Sequence, residues 1–210
     1  MKILEPLKWR AAVRKFDTSK DVSDVELEAL LDAGNLTATS MGLQPFKIVV
    51  VKNKTLQQEL VPLSYNQQHV AEASHILVFA IETDINQDNV DRYIERAMEL
   101  RNLPSSALEG YKNSISQYMS SMSSDQKQVW ATKQTYIALG TVMTIAAELK
   151  IDSCAMEGFD PVGYQKMLNL ESENLMPVVI LPIGFRSNEE VMASLPKVRK
   201  TRDEFVLEVD

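Results

Sequence analysis

Short apolar runs alternate with amphipathic segments along the 210-residue chain, which predicts buried strands between helices. Phe46–Val51, His75–Ile81 and Pro177–Phe185 are continuous runs rich in β-branched residues, and such runs favour strands covered on both faces. Pro182 inside the third run predicts a bend or an end of pairing there. The alternating tail Phe205–Val209 predicts a fourth strand at a sheet edge.

The intervening segments carry helical periodicity and helix-start signals. Ser23 opens a capping box, and its helix should stop near Gly34. Arg10 and Arg14 would share one helical face if the first helical turn continues that far. Leu36–Pro45 is predicted to be an irregular polar loop. The other predicted helices are Lys2–Trp9, Thr55–Leu63, Asn66–Ala73, Asp88–Asn102, Ser105–Met122 and Val162–Leu168.

Val129–Leu149 is apolar on most faces, which is typical of a helix inside a core or a subunit interface. Its small residues, among them Gly140, would let neighbouring backbones approach closely. The segment leads into Met156–Asp160, here called the acidic turn, whose backbone N–H groups can face a flat ligand. Asp160 and Pro161 have the form of an N-cap and first position of another helix.

Helices dominate and the strands are mostly buried with long connections, which predicts an α+β fold or a three-layer sandwich. The length fits a single domain over residues 1–210, with an exposed helical excursion at about 86–122. No run approaches the roughly 18 apolar residues of a membrane span, and the charged N-terminus lacks the apolar segment of a signal peptide. A single cysteine, Cys154, rules out an internal disulfide and favours a cytoplasmic location.

The formal charge of −7 argues against nucleic acid as the main partner. Its distribution is more informative, because positive side chains crowd both ends of the chain. These clusters are either solvated faces or two halves of one anion site, such as a phosphate site. They comprise Lys8, Arg10, Arg14 and Lys15 near the start, and Lys197, Arg199, Lys200 and Arg202 near the end.

The sequence offers little catalytic machinery of its own. It has no glycine-rich nucleotide fingerprint and no cluster with metal-ligand spacing. His75 opens an apolar strand and is interpreted as structural, whereas His69 lies on a polar helix and can be structural or face a ligand. Cys154 has no evident partner base and is interpreted as a small hydrophobe. A chain of this kind fits an enzyme that borrows its chemistry from a cofactor, here an anionic, planar one.

Four motifs occur in a fixed order over nearly the whole chain. They are Arg10-x-x-x-Arg14-x-Phe16, Ser40-x-x-x-Gln44-Pro45-Phe46, Glu157-Gly158-Phe159-Asp160 and Pro196-Lys197-x-Arg199. Together they resemble the FMN-dependent nitroreductase family, nearest to its oxygen-insensitive NAD(P)H nitroreductase and dihydropteridine reductase branch.

The resemblance implies a three-layer sandwich with a central, mostly antiparallel sheet, in an intertwined homodimer whose C-terminal strands are exchanged. It implies FMN at the subunit interface and two-step hydride transfer from NADH or NADPH, through flavin N5, to a nitroaromatic, quinone or similar small acceptor. A flavin store or sensor without turnover, and a helical interaction protein without flavin, are the alternatives.

The resemblance also assigns site residues, with no catalytic side chain and no metal. It places Arg10, Arg14, Lys197 and Arg199 on the FMN phosphate and ribityl chain, Asn66 on the ring, Met156, Glu157 and Gly158 beside the reactive edge, and Thr39 and Ser40 on the flavin of the other subunit. Ala11, Ala12 and Gln44 complete the cofactor set, and Met41, His69 and Tyr118 are assigned to the nicotinamide or substrate.

Three positions depart from the family pattern. Ala12 stands in place of the usual Ser, so a hydroxyl contact is lost, and His69 replaces the usual Lys beside the flavin pyrimidine. The usual aromatic gate is missing near residues 113–115, where Tyr111 or Tyr118 is the candidate substitute.

Overall fold

The computed structural model describes residues 4–209, so the first two residues of the predicted helix Lys2–Trp9 lie outside it. The strands are β1 Phe46–Val51, β2 His75–Glu82, β3 Asp152–Ser153 and β4 Leu175–Gly184. The helices are α1 Glu5–Trp9, α2 Asp24–Asn35, α3 Lys54–Leu60, α4 His69–Glu72, α5 Gln87–Arg101, α6 Glu109–Ser120, α7 Ser124–Glu148, α8 Pro161–Met167 and α9 Arg202–Phe205. Short 3₁₀ turns lie at Ser40–Gly42, Pro62–Ser64, Ser105–Leu108, Glu171–Glu173 and Met192–Ser194.

The four strands form one antiparallel sheet in the order β1-β2-β4-β3. Alternate residues of β2 enter two separate cores because successive side chains of a strand point to opposite faces. Leu77 and Phe79 pack with α2 and α7, whereas Ile76 and Val78 pack with α3, α4 and α8. The sheet is thus covered by helices on both sides, and the predicted α+β three-layer sandwich is confirmed.

Two local predictions were wrong. Pro182 lies opposite Ile76 within continuous pairing, because the sheet uses its carbonyl, which accepts the Cys154 N–H at 3.1 Å. The register shifts instead between Phe79, which lies opposite Val179, and Ala80, which lies opposite Pro177. The first helix ends at Trp9 and does not continue to the arginines, since the backbone of the next residue is already extended.

The predicted terminal strand Phe205–Val209 does not form within one chain. Phe205 ends α9, and residues 206–209 have no regular structure. Its apolar side chains are largely exposed, with Phe205 at 79% and Leu207 at 89%. The fourth strand of the sheet is instead β3, a two-residue element that no sequence pattern announced.

Helix α7 runs along the sheet and also supports the excursion. Its inner face is fully buried at Ala138 and Val142, whereas Val129 and Ile137 on the outer side are about half exposed. An added Cβ at Gly140 would meet no atom within 4 Å, so the close packing expected there is not made within the chain. The N-terminal part of α7 shares a small core with α5 and α6, formed by Ile94, Ile115, Met119 and Trp130.

The helices of residues 4–209 also bear on whether the chain could span a membrane. None of them combines the length and the apolarity needed to cross a membrane.

Candidate functional site

The segment after α1 crosses the end of the sheet beside β3. Ala12 forms a bridge with Ser153, and Val13 and Phe16 anchor the segment in the core. Glu190 fixes it from the C-terminal side, because its Oε2 accepts the backbone N–H groups of Arg14 at 2.7 Å and of the next residue at 2.9 Å. The backbone of Arg10–Arg14 is therefore held while its long basic side chains project from it.

Basic side chains from the two ends of the chain meet here. Lys197 donates its ammonium to the carbonyl of Lys8. Burial and the charge of Arg199 lower the pKa of Arg10, and desolvation and the charges of Arg10 and Arg199 lower that of Lys197. We call Arg10, Lys197 and Arg199 the basic cluster. These three side chains lie near one another, whereas Lys8, Lys15 and Arg202 of the predicted clusters pair with the carboxylates of Glu5, Glu72 and Glu208.

The basic cluster carries uncompensated charge. Within residues 4–209, neither its three members nor Arg14 forms an ion pair with a carboxylate. The Nε of Arg10 is buried and has no hydrogen-bond acceptor there. Buried donors of this kind are normally satisfied, so the arrangement suits an anionic ligand.

The charge of Arg14 acts on two buried groups beneath this segment, the thiol of Cys154 and the ring of His69. Burial raises the pKa of the Cys154 thiol, and the charges of Arg14 and Arg10 partly oppose that rise. The thiol is buried and protonated, as expected of a small hydrophobe.

Burial, followed by the charge of Arg14, lowers the pKa of His69. The ring of His69 is only 5% exposed and lies 3.0 Å from the sulfur of Met156. His69 therefore packs under the acidic turn and does not face solvent.

The acidic turn is tied to the sheet and to two neighbouring segments. Met156 and Ile180 exchange backbone hydrogen bonds at 2.9 and 3.0 Å. The ring of Phe159 is buried against Tyr164, with ring centroids 4.9 Å apart. Gln67 donates from Nε2 to the carbonyl of Gly158 at 2.9 Å.

Two backbone donors of the acidic turn remain free. Among the hydrogen bonds of the described chain, none uses the N–H of Glu157 or of Gly158. Asp160 closes the turn by donating its N–H to Leu63 and accepting that of Val162, which confirms the predicted cap. The turn therefore presents two adjacent N–H groups on a fixed backbone, as the sequence predicted.

The segment Tyr65–Asn66 lies beside this turn. Both residues are left-handed, with φ of 52° and 61°, directly after a 3₁₀ turn. The Tyr65 hydroxyl reaches toward the carbonyl of Phe159 at 3.5 Å. Asn66 is exposed, and its side chain makes no hydrogen bond with residues 4–209. Its amide is available to a ligand at the edge of the turn.

Thr39–Gln44 forms a second candidate element, here called the left-handed loop. Met41, Gly42 and Gln44 have φ of 57°, 71° and 45°. Gln134 of α7 accepts the Ser40 N–H at 2.8 Å, and the Gln44 amide donates to the carbonyl of residue 35 at 2.7 Å. The buried Oγ1 of Thr39 has no partner in the part of the chain described.

The excursion helices reach the left-handed loop. Tyr111 donates to the carbonyl of Met41 at 3.4 Å and stacks edge-on with Tyr93 at 6.3 Å. An added Cβ at Gly42 would lie 2.7 Å from the Tyr93 ring. Tyr118, the other candidate gate, is half exposed and lines an apolar cavity of about 360 Å³ with Val129 and its neighbours. The hydroxyl of Tyr111 is thus engaged, whereas that of Tyr118 has no hydrogen-bond partner among residues 4–209.

Comparison with known proteins identifies the family. The profile of the Nitroreductase family matches residues 7–185. The chain belongs to this family. It is 33% identical over 218 residues to YfkO of Bacillus subtilis, a protein provisionally named as an NAD(P)H nitroreductase, covering 97% of this chain and 96% of that protein. It is 29% identical over 211 residues to the major NAD(P)H-flavin oxidoreductase of Aliivibrio fischeri, covering 97% of each.

A solved nitroreductase-family structure has the same fold. The protein from Exiguobacterium sibiricum, determined in complex with FMN, superimposes with a TM-score of 0.85 at 19% identity, covering 100% of this chain and 98% of that one. The family membership and fold predicted from the sequence are confirmed. The roles of individual site residues remain predictions.

Proposed function

We propose that this chain is an FMN-dependent NAD(P)H oxidoreductase that reduces nitroaromatic, quinone or similar acceptors in two successive half-reactions. The observation that carries the proposal is the basic cluster, whose unpaired charges converge close to a turn with two free N–H donors. The names of YfkO and of the Aliivibrio protein support the same chemistry.

The residues present fit the cofactor. A phosphate would supply acceptors for the orphaned Nε of Arg10 and compensate the repulsion among Arg10, Lys197 and Arg199. The missing hydroxyl at Ala12 leaves only backbone there, and the exposed amide of Asn66 is available to the ring. The chemistry that FMN supplies is hydride exchange at its N5 atom, first with NAD(P)H and then with the acceptor.

The chain's own contribution is positioning and electrostatics. The N–H groups of Glu157 and Gly158 would face the polar edge of the ring, where negative charge develops on reduction. Preorganised donors stabilise such charge without reorganising during the reaction. The buried His69 lies against Met156 beneath the turn, and the exposed Arg14 contributes positive charge from the neighbouring segment. The free side chain of Tyr118 is our candidate for the residue that covers the acceptor.

A homodimer would complete the site. The outer face of α7, open at Ile137 and Gly140, offers a surface for a second α7. Within residues 4–209 no strand pairs with the outer edge of β1, and the exposed tail Phe205–Val209 has the alternation needed to add a strand there in a second copy. In such a dimer Thr39 and Ser40 would reach the flavin held by the partner.

Charge supports that use of the tail. A groove of about 460 Å³ beside β1 is lined by Lys47, Arg92 and Arg96, among other residues. Asp203 and Glu204 of α9 directly precede the tail, and Glu208 lies within it, where it pairs with Arg202 at 3.0 Å in this chain. Opposite charges on the two surfaces favour docking of the tail of one copy into the groove of the other.

The first test is spectroscopic. Purified protein should be yellow or should take up FMN, and anaerobic addition of NADH or NADPH should bleach the bound cofactor within the turnover time. Stopped-flow mixing separates an oxidoreductase from a flavin store, because a store would bleach too slowly to support turnover. Protein that never takes up FMN would refute the proposal.

The second test removes the basic cluster. We expect Arg10→Ala combined with Lys197→Ala to weaken FMN binding by about a hundredfold, since each charged hydrogen bond contributes roughly 1.5–3 kcal/mol. Titration of apoprotein by flavin fluorescence measures this. Lys20→Ala combined with Lys166→Ala is the charge-matched control, because both of these lysines are exposed and remote in sequence from the cluster. Equal affinities in the two double variants would contradict the assignment.

A further inference from the structure

Helix α7 contacts both candidate elements through side chains two positions apart. Gln134 is buried and binds the left-handed loop, whereas Tyr136 lies on another side of the helix and is 36% exposed. The Tyr136 hydroxyl donates to Oε1 of Glu157 at 2.6 Å. This is a short, charge-assisted hydrogen bond from a long helix to the acidic turn.

The bond restrains the side chain of Glu157, which no other contact of the turn holds. Met156 is bonded to the sheet, and the carbonyl of Gly158 is bonded to Gln67. Glu157 lies between them, and its side chain has no hydrogen-bond partner other than Tyr136 in the described part of the chain. The peptide units of the two free N–H groups are already held, because the carbonyl of Met156 accepts from Ile180 and that of Glu157 accepts from Phe159, each at 3.0 Å. The bond from Tyr136 therefore decides where the Glu157 carboxylate lies beside these donors.

We propose that Tyr136 is a positioning residue of the flavin site, which holds the Glu157 carboxylate toward α7 and away from the reactive edge of the cofactor that the N–H groups of Glu157 and Gly158 would face. The inference rests on the proposed function. It assigns Tyr136 a role that acts through Glu157 and needs no contact of its own with the cofactor.

The electrostatic consequence concerns the charge of Glu157. A carboxylate close to the reactive edge would oppose the negative charge that accumulates there on reduction. The phenol draws that carboxylate to α7 and shares its charge through the hydrogen bond. Burial, then the hydrogen bond and charge of Glu157, raise the pKa of Tyr136, so the phenol remains a donor throughout the range in which the protein would work.

The test is a double-mutant cycle with Tyr136→Phe, Glu157→Ala and the combined variant. We expect each single change to weaken FMN binding to apoprotein by about tenfold, the scale of one charged hydrogen bond. The combined variant should bind no worse than the weaker single variant, because both changes remove the same bond. Ser120→Ala in α6 is the control, since its hydroxyl bonds only to the carbonyl of residue 117 in its own helix.

A second readout distinguishes positioning from general support of the fold. In Tyr136→Phe the reduction midpoint potential of bound FMN should become more negative, because the Glu157 charge is no longer held aside. The shift should be absent when Glu157→Ala is added, and Ser120→Ala should not produce it. Glu157→Gln keeps an acceptor oxygen for the phenol and should retain most of the affinity that Glu157→Ala loses.

The outcomes separate the two proposals. Failure of the unaltered protein to bind FMN would end the proposed function. Normal binding by that protein, together with additive losses in the cycle or an unchanged potential in Tyr136→Phe, would overturn this inference alone. Thermal unfolding of each apoprotein establishes that it is folded. The difference in affinity between Glu157→Gln and Glu157→Ala tests the same hydrogen bond while α7 stays unaltered, and equal affinities would contradict the inference.

Discussion

The acidic turn and the left-handed loop form the two sides of the proposed cofactor site, and they are held in different ways. The turn is anchored by sheet hydrogen bonds at Met156, a buried ring at Phe159 and side chains from two other segments. The loop contains three left-handed residues and depends on Gln134, a local bond from Gln44 and a long contact from Tyr111.

The difference in anchoring between the acidic turn and the left-handed loop corresponds to the role proposed for each of them. Donors that meet developing charge are effective when they are fixed in advance, and the turn is fixed by the core of its own chain. The loop would serve the cofactor of the partner, so its final position also depends on the dimer. Besides the bond from Gln44, its restraints come from the excursion and from α7, the helix whose outer face is proposed to meet the second copy.

The largest expected difference is in stability. Phe159→Ala should lower the free energy of unfolding of the apoprotein by about 3–5 kcal/mol, since it removes a buried aromatic ring and leaves a cavity. Met41→Ala in the loop should cost about 1 kcal/mol or less, because that side chain is only partly buried. Urea unfolding of both variants measures the contrast, and similar losses would mean that the turn is not the better anchored element.

A smaller effect is expected at Gly42. Gly42→Ala should destabilise the protein by about 1–3 kcal/mol, because φ is +71° and the new Cβ would meet the Tyr93 ring. Tyr93→Leu should relieve part of this loss when the two changes are combined. Gly110→Ala is the matched control, since no atom lies within 4 Å of its added Cβ and alanine favours a helix. A neutral Gly42→Ala variant would show that the loop adapts freely.

The smallest expected effect is a dependence on pH from beneath the turn. Burial is the main cause that lowers the pKa of His69, and of His75, below the ordinary value of 6.5. A group whose folded pKa is lowered binds protons mainly in the unfolded state, so stability should fall as the pH drops below about 6.5. His69→Gln should reduce that slope, measured by urea unfolding between pH 7 and 5.

The other acidic groups with lowered pKa values do not change the stability between pH 7 and 5. The carboxyl groups with lowered pKa values are those of Asp17, Asp24, Glu26 and Asp91, and they would lose their stabilising effect only at lower pH, since their ordinary values are 3.8 to 4.5. His75→Gln serves as the comparison, because it also removes a buried imidazole but leaves the contact with Met156 intact. An unchanged slope in His69→Gln would place the pH dependence elsewhere.

The local features of this protein were determined by short stretches of sequence. The capping box at Ser23, the cap at Asp160 and the three apolar strands were predicted correctly, because the residues that decide them lie within a few positions of one another. The order of the motifs along the chain likewise indicated the family.

Only the tertiary structure decided which distant residues meet. Several features join segments that are far apart in the chain. They are the pairing of the two-residue strand β3, the burial of His69, the contact of Tyr136 with Glu157 and that of Gln67 with Gly158. No local periodicity encodes such contacts, since they arise from the packing of helices on both faces of the sheet. The sequence supplied the donors and charges of the site, and the fold brought them together.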